Sequence, residues 1–117
     1  MASKPITHLE MVDIVPIIKS ILEKQRTPML SKDLESVAKN IIEFNNIDYR
    51  LSSDRLRIVI NYLRRQMILP IISSSRGYHI SSGEEESLDM AASLELRAKS
   101  ILAAAKGLRG IYQTNQP

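Results

Sequence analysis

Residues 52–80 read SSDRLRIVINYLRRQMILPIISSSRGYHI, and the fold is decided there. Ser52 or Ser53 offers a hydroxyl oxygen that can cap a helix. Leu56, Val59, Ile60, Leu63 and Met67 then recur three or four residues apart, the spacing of one buried helical face. Asp54, Arg57, Ile58, Asn61 and Arg65 fall off that stripe, with Arg55, Tyr62 and Arg64 at its flanks. Pro70 lacks an N–H and stops the helix before it. Two runs rich in β-formers, Leu69 to Ser73 and Tyr78 to Ser81, flank the turn Ser74-Ser75-Arg76-Gly77, which predicts a β-hairpin. Tyr78 and Ile80 alternate with His79 and Ser81, so one face is expected to pack and the other to be wet.

Upstream, Phe44 to Leu51 is a connector whose Ile47, Tyr49 and Leu51 tuck into the core. Before it, Ser31 reads as the cap of a helix with Leu34, Val37, Ala38, Ile41 and Ile42 on one side, fading at Asn45-Asn46. Thr27-Pro28 is a break, and Met29-Leu30 a very short strand. The first helix carries Val12, Val15, Ile18, Ile21 and Leu22 and ends near Gln25. Thr7 and Glu10 have capping-box spacing, yet Pro16 is awkward inside a helix. A start at Asp13 would place that proline in the first turn, where its missing N–H costs little.

Downstream, Ser82 and Glu85 repeat the capping-box spacing, and a long helix is expected from about Glu84 to Arg109. Ala91, Leu94, Ala98, Ile101, Ala105, Leu108 and Tyr112 step alternately by three and four, a heptad seam suited to pairing two chains. The expected organisation is therefore a flexible tail at 1–7, a folded domain at 8–82, a C-terminal dimerisation helix at 83–112 and a disordered tail at 113–117. The fold class is mainly α with a small β-hairpin.

At 117 residues and 44% apolar composition the chain holds one modest, aliphatic core, since it has four Tyr, one Phe and no Trp. It has no cysteine, which excludes disulfides, thiolate metal sites and thiol nucleophiles. No apolar run reaches membrane-span length and the N-terminus lacks a signal-peptide plan, so a cytoplasmic protein is expected. The net charge of +3 is unevenly spread. Residues 50–79 carry six bases against Asp54, residues 84–95 carry five acids and no base, and residues 97–109 carry four bases and no acid. The glutamates at 84–86 suit the positive end of a helix dipole, as Arg97, Lys99, Lys106 and Arg109 suit its negative end.

The Ser-started helix with Val59-Ile60 inward, Leu63-Arg64 near its end, the strand at Pro70 to Ser73 and the Arg76-Gly77-Tyr78 tip resemble the recognition helix and wing of winged helix-turn-helix proteins. The similarity is to the N-terminal domain of the biotin operon repressor and to phage and prophage winged-helix proteins. It covers this quarter of the chain strongly and residues 8–82 loosely. Two features depart from the family pattern: Phe44 to Leu51 replaces a tight turn, and Met67-Ile68 stands where a glycine commonly follows the recognition helix. The resemblance implies a winged helix-turn-helix followed by a long helix, acting as a double-stranded DNA binder. A small phage-type transcription regulator or DNA-processing accessory factor fits, in the host cytoplasm if phage-encoded. Nothing resembles the repressor's ligase portion.

The candidate DNA-binding set is Ser53, Arg55, Arg57, Asn61, Arg64 and Arg65 on the helix, with Ser75 and Arg76 on the wing. Arginine bonds guanine bidentately and asparagine suits adenine, whereas a wing arginine reaches phosphate. The same residues would also serve as an ordinary solvated face. Leu94, Ala98, Ile101, Ala105 and Leu108 are the candidate dimerisation set, though such a seam would also pack within its own chain. No enzyme is expected, because His8 and His79 stand in no catalytic or metal-binding arrangement with the serines or each other. No cofactor is implied. The competing expectation is a winged-helix module that binds another protein, such as a host enzyme, because fold does not fix function.

Overall fold

A computed structural model describes residues 5–114. It is mainly helical, with one antiparallel hairpin and a long C-terminal helix. A π-helical turn, Glu10–Ile14, leads into α1 (Val15–Lys24), α2 (Ser31–Phe44), α3 (Ser53–Arg65), β1 (Ile71–Ser74), β2 (Gly77–Ile80) and α4 (Glu84–Thr114). The chain divides into two compact units, Met1–Ser82 and Gly83–Pro117.

The first helix begins at residue 8, at the capping box, not at Asp13. The Thr7 N–H donates to the Glu10 carboxylate at 2.9 Å, and the Glu10 N–H donates to Thr7 Oγ1 at 3.2 Å. Pro16 is accommodated differently from the sequence expectation. The Val15 N–H reaches back to the Glu10 carbonyl, five residues away, so the turn just ahead of the proline is widened. A widened turn relieves the clash and the missing donor that proline brings to an α-helix interior, and the helix runs on unbroken to Lys24. Pro5 to Thr7 are likewise tied to the fold by bonds to Arg55 and Glu10, contrary to the expected loose tail.

Ser31 is the first residue of α2, with Leu30 at the cap position and no side-chain cap bond, so Ser31 is not the cap it was expected to be. Ser52 does cap α3, accepting the Arg55 N–H at 3.1 Å. The ends of α2 and α3 share one device. Asn46 (φ 54°) and Met67 (φ 55°) are left-handed, and the next N–H turns back onto the helix: Ile47 to the Ile42 carbonyl at 3.1 Å, Ile68 to Leu63 at 2.9 Å. Asparagine tolerates this conformation, whereas methionine bears a penalty of about 1–2 kcal/mol that a glycine would avoid. Met67 is consequently 92% exposed and does not belong to the buried stripe, while Leu69 turns inward.

The core of the first unit comprises the inward faces of three helices, including Ile14, Ile18, Leu34, Leu56 and Leu63, closed by Leu51 from the connector and Ile71 from β1. The hairpin pairs Ile71 with Ile80 and Ser74 with Gly77 across a two-residue Ser75-Arg76 loop. Met29 adds a one-residue bridge outside β2, exchanging bonds of 2.9 and 2.8 Å with Tyr78, as its strand-like sequence led us to expect. Tyr78 and Ile80 pack on the core, but His79 and Ser81 are half-buried too, so the expected wet face is only partly wet.

In the second unit α4 continues past Arg109 to Thr114, so Gln113 and Thr114 are helical and residues 115–117 of the expected tail lie outside the described residues. Glu84, Glu85 and Glu86 do occupy its first turn, but the last turn holds no base. Arg97 to Arg109 thus lie in the body of the helix rather than at its negative end. Among the described residues, no helix is long and apolar enough to cross a membrane.

Gly77 fixes how the hairpin meets the Met29 strand. Its φ is +115°, and a Cβ there would lie 2.1 Å from the Met29 carbonyl oxygen. Since the obstacle is backbone already bonded to Tyr78, Gly77→Ala is expected to destabilise the first unit by about 3 kcal/mol or more. Urea unfolding followed by circular dichroism measures this; a loss under about 1 kcal/mol would show that the bridge yields easily.

Candidate nucleic-acid interface

The bases of α3 divide into two sets. Ser53, Arg57, Asn61 and Arg65 follow one another at steps of four and are all exposed, forming a polar stripe about 18 Å long at 1.5 Å per residue. Their side chains are held outward because Leu56, Val59, Ile60 and Leu63 occupy the opposite face. Asn61 and Arg57 are thus presented together, and Arg65 extends the stripe to the helix end. On the hairpin, Ser75 and Arg76 form the exposed tip, where the Arg76 N–H donates to Ser74 Oγ at 3.2 Å.

Arg55 and Arg64, expected among the DNA-binding residues, are instead engaged inside the fold. Arg64 Nε donates to the Ile71 carbonyl at 2.9 Å and a terminal nitrogen donates to Ser73 Oγ at 3.2 Å, stapling α3 to β1. Arg55 is the partner of a fully buried carboxylate. Its Nε donates to Glu10 Oε2 at 2.7 Å, its Nη2 donates to Glu10 Oε1, and the same Nη2 bonds the Pro5 carbonyl at 3.1 Å. Tyr49 from the connector donates its hydroxyl to Glu10 Oε2. A guanidinium held on both carboxylate oxygens has little freedom left for a base or phosphate.

Burial by itself pushes the Glu10 carboxyl up, but the bonds from Arg55, Tyr49 and Thr7 together outweigh it and hold its pKa down at about 2. Burial and then the bond to the Glu10 carboxylate raise the Tyr49 hydroxyl to about 12. The bond to Glu10 raises Arg55 above its ordinary value, so the pair is ionised throughout the neutral range.

The sequence reading missed Glu10 as anything but a capping residue. A signal existed: Glu10 lies four residues before Ile14 and eight before Ile18, on the buried side of the helix, where a charge demands a partner. Which arginine would answer it was not legible, since Arg55 is 45 residues away. Of the expected dimerisation residues, Ala98, Ile101 and Leu108 are exposed and Leu94 and Ala105 half-buried. Among the described residues, no group of three or more His, Cys, Asp or Glu is placed to hold a metal ion. No protein-family model matches this chain, and comparison with curated proteins and with solved structures gives no significant match either.

The lowered Glu10 pKa makes stability depend on acid in a defined window. The carboxylate form is favoured in the folded state, so its contribution is complete above the unfolded value near 4.5 and is lost as pH falls toward 2. That loss is on the order of 3 kcal/mol. Glu10→Gln should flatten the acid limb of the stability curve between pH 4.5 and 2 and lower stability at pH 7. An acid limb unchanged by the substitution would assign it to other carboxylates.

Proposed function

We propose that residues 8–82 act as a winged helix-turn-helix domain that binds double-stranded DNA, with α3 in the major groove and the β1–β2 hairpin as the wing. The observation that carries this reading is the exposed stripe Ser53, Arg57, Asn61 and Arg65, on a helix whose one acid is Asp54. Arginine and asparagine are the side chains that read guanine and adenine bidentately, and 18 Å of helix fits the length of a major-groove contact. Arg76 at the hairpin tip is suited to a phosphate, fixing register without reading sequence. Arg55 and Arg64 have no part in base recognition here; they hold α3 against the rest of the domain. Two copies paired through α4 would present two such helices, as small regulators and DNA-processing accessory factors do.

Selection of bound sequences from a random duplex pool tests the reading, followed by titration of the selected site. Arg57→Ala or Asn61→Ala is expected to weaken that site by about 1–3 kcal/mol, the value of a good bidentate base contact, with unfolding unchanged. If the pool yields no motif and random duplex is not retarded at low salt, the DNA reading fails.

The wing makes a separable prediction. Arg76→Ala should weaken selected and random duplexes by similar factors and reduce the slope of log affinity against log salt by about one. A loss confined to the selected sequence would instead put Arg76 in a groove.

A second reading, a protein-docking module, draws support from Phe44 and Met67, large apolar side chains left 85% and 92% exposed at the ends of α2 and α3. It takes precedence if no duplex is bound.

A further inference from the structure

We propose that the surface of α4 pairs with a second copy of this chain running antiparallel, with the two helices overlapped along their full length. The proposal rests on the α4 pairing above and deepens it by naming the orientation; it does not depend on DNA.

Large apolar side chains of α4 are exposed around the helix, Leu96 and Leu102 at 70% and 62% and, on the seam side, Ile101 and Leu108 at 63% and 65%. Two seven-residue series build that side. Ala91, Ala98 and Ala105 form one, and Leu94, Ile101 and Leu108 the other. The two orientations fill such a seam differently. A parallel, in-register pair sets alanine against alanine in one layer and leucine or isoleucine against its own kind in the next, leaving alternate layers thin and crowded. An antiparallel pair sets each series against the other. Leu94 meets the partner's Ala105, Ala98 meets the partner's Ile101, and Ala91 meets the partner's Leu108. Every layer then holds one small and one large side chain, which keeps the spacing between helices even.

The charges choose the same way. Residues 84–95 carry −5 and residues 97–109 carry +4. A parallel pair lays the acidic stretch on the acidic stretch and the basic stretch on the basic one. The antiparallel pair lays residues 85–95 along the partner's residues 104–114, which bring Lys106 and Arg109 and no acid. Reversal thus sets acid along base at both ends of the pair, while Arg97 and Lys99 of the two copies fall near its middle. The folded unit joins α4 at its start, so the two attachment points stand on the order of 45 Å apart along the pair, instead of side by side.

The absence of native cysteine allows direct reading of the orientation. Full-length Leu94→Cys and Ala105→Cys are prepared separately and oxidised alone or mixed, without DNA. Antiparallel pairing predicts a cross-linked dimer in the mixture and little in either variant alone, because like positions then lie on the order of 16 Å apart along the axis. Cross-linking of each variant with itself, or no excess in the mixture, overturns the proposal. Sedimentation of the unmodified chain gives a reading that needs no substitution. The dimer dissociation constant should rise several-fold between about 0.05 and 0.5 M salt as attraction is screened. A constant that falls with salt would report the like-charge contacts of a parallel pair, and a monomer at tens of micromolar would remove the pairing altogether. Since none of these measurements contains DNA, their failure leaves the DNA reading to its own test.

Discussion

Glu10 is a charge with no access to water, and its neutralisation ties together three segments far apart in the chain. The carboxylate belongs to the first turn of the first helix, Tyr49 comes from the connector 39 residues on, and Arg55 from the first turn of α3 a further six residues along. An unpaired carboxylate at this position would cost several kcal/mol, so arrangements that separate these segments are strongly penalised. An apolar trio of similar volume could match its stability. What the ionic trio adds is selectivity, since its oxygens are satisfied only when the helix start, the connector and α3 meet in one geometry. The same carboxylate also serves the Thr7 capping bond, so the start of the first helix and the placement of α3 are set together.

The placement of α3 is secured again at its far end. Arg64 bonds the Ile71 carbonyl and Ser73, and β2 in turn exchanges bonds with Met29, where Gly77 leaves room for the backbone. With Arg55 at one end and Arg64 at the other both spent internally, the helix is pinned at two points. The side it leaves outward is the Ser53–Arg57–Asn61–Arg65 stripe. A rigidly held helix with an exposed stripe of fork-shaped and amide donors is what groove reading needs, because bidentate contacts reward fixed geometry. Basic residues close in sequence thus separate into those that build the platform and those presented on it.

Much of this was legible in the residues themselves. The apolar periodicities located α1, α2, α3 and α4, the Ser52 cap and the Ser/Gly turn located the start of α3 and the hairpin, and Met29 was read as strand. These are local matters, governed by side-chain spacing, capping and turn chemistry within a few residues. The boundary errors were local as well. Pro16 left the helix start open between the Thr7 capping box and Asp13 because the widened turn that accommodates it has no residue signature, and Met67 was assigned inward because periodicity carries no information about where a left-handed residue ends the helix.

What the flanking arginines bind was decided by tertiary structure alone. Helical spacing already set Arg57 and Arg65 off the apolar stripe and Arg55 and Arg64 at its flanks, yet all four remained candidates for DNA. Which of them are free depends on what the rest of the chain brings within about 3 Å: a buried carboxylate from 45 residues upstream for Arg55, a strand carbonyl from beyond Pro70 for Arg64. Sequence determined that a basic amphipathic helix would form, because helical periodicity and local charge are properties of neighbours. The fold withdrew Arg55 and Arg64 from that surface, because a buried charge must be paired and only the packed chain determines what is there to pair it.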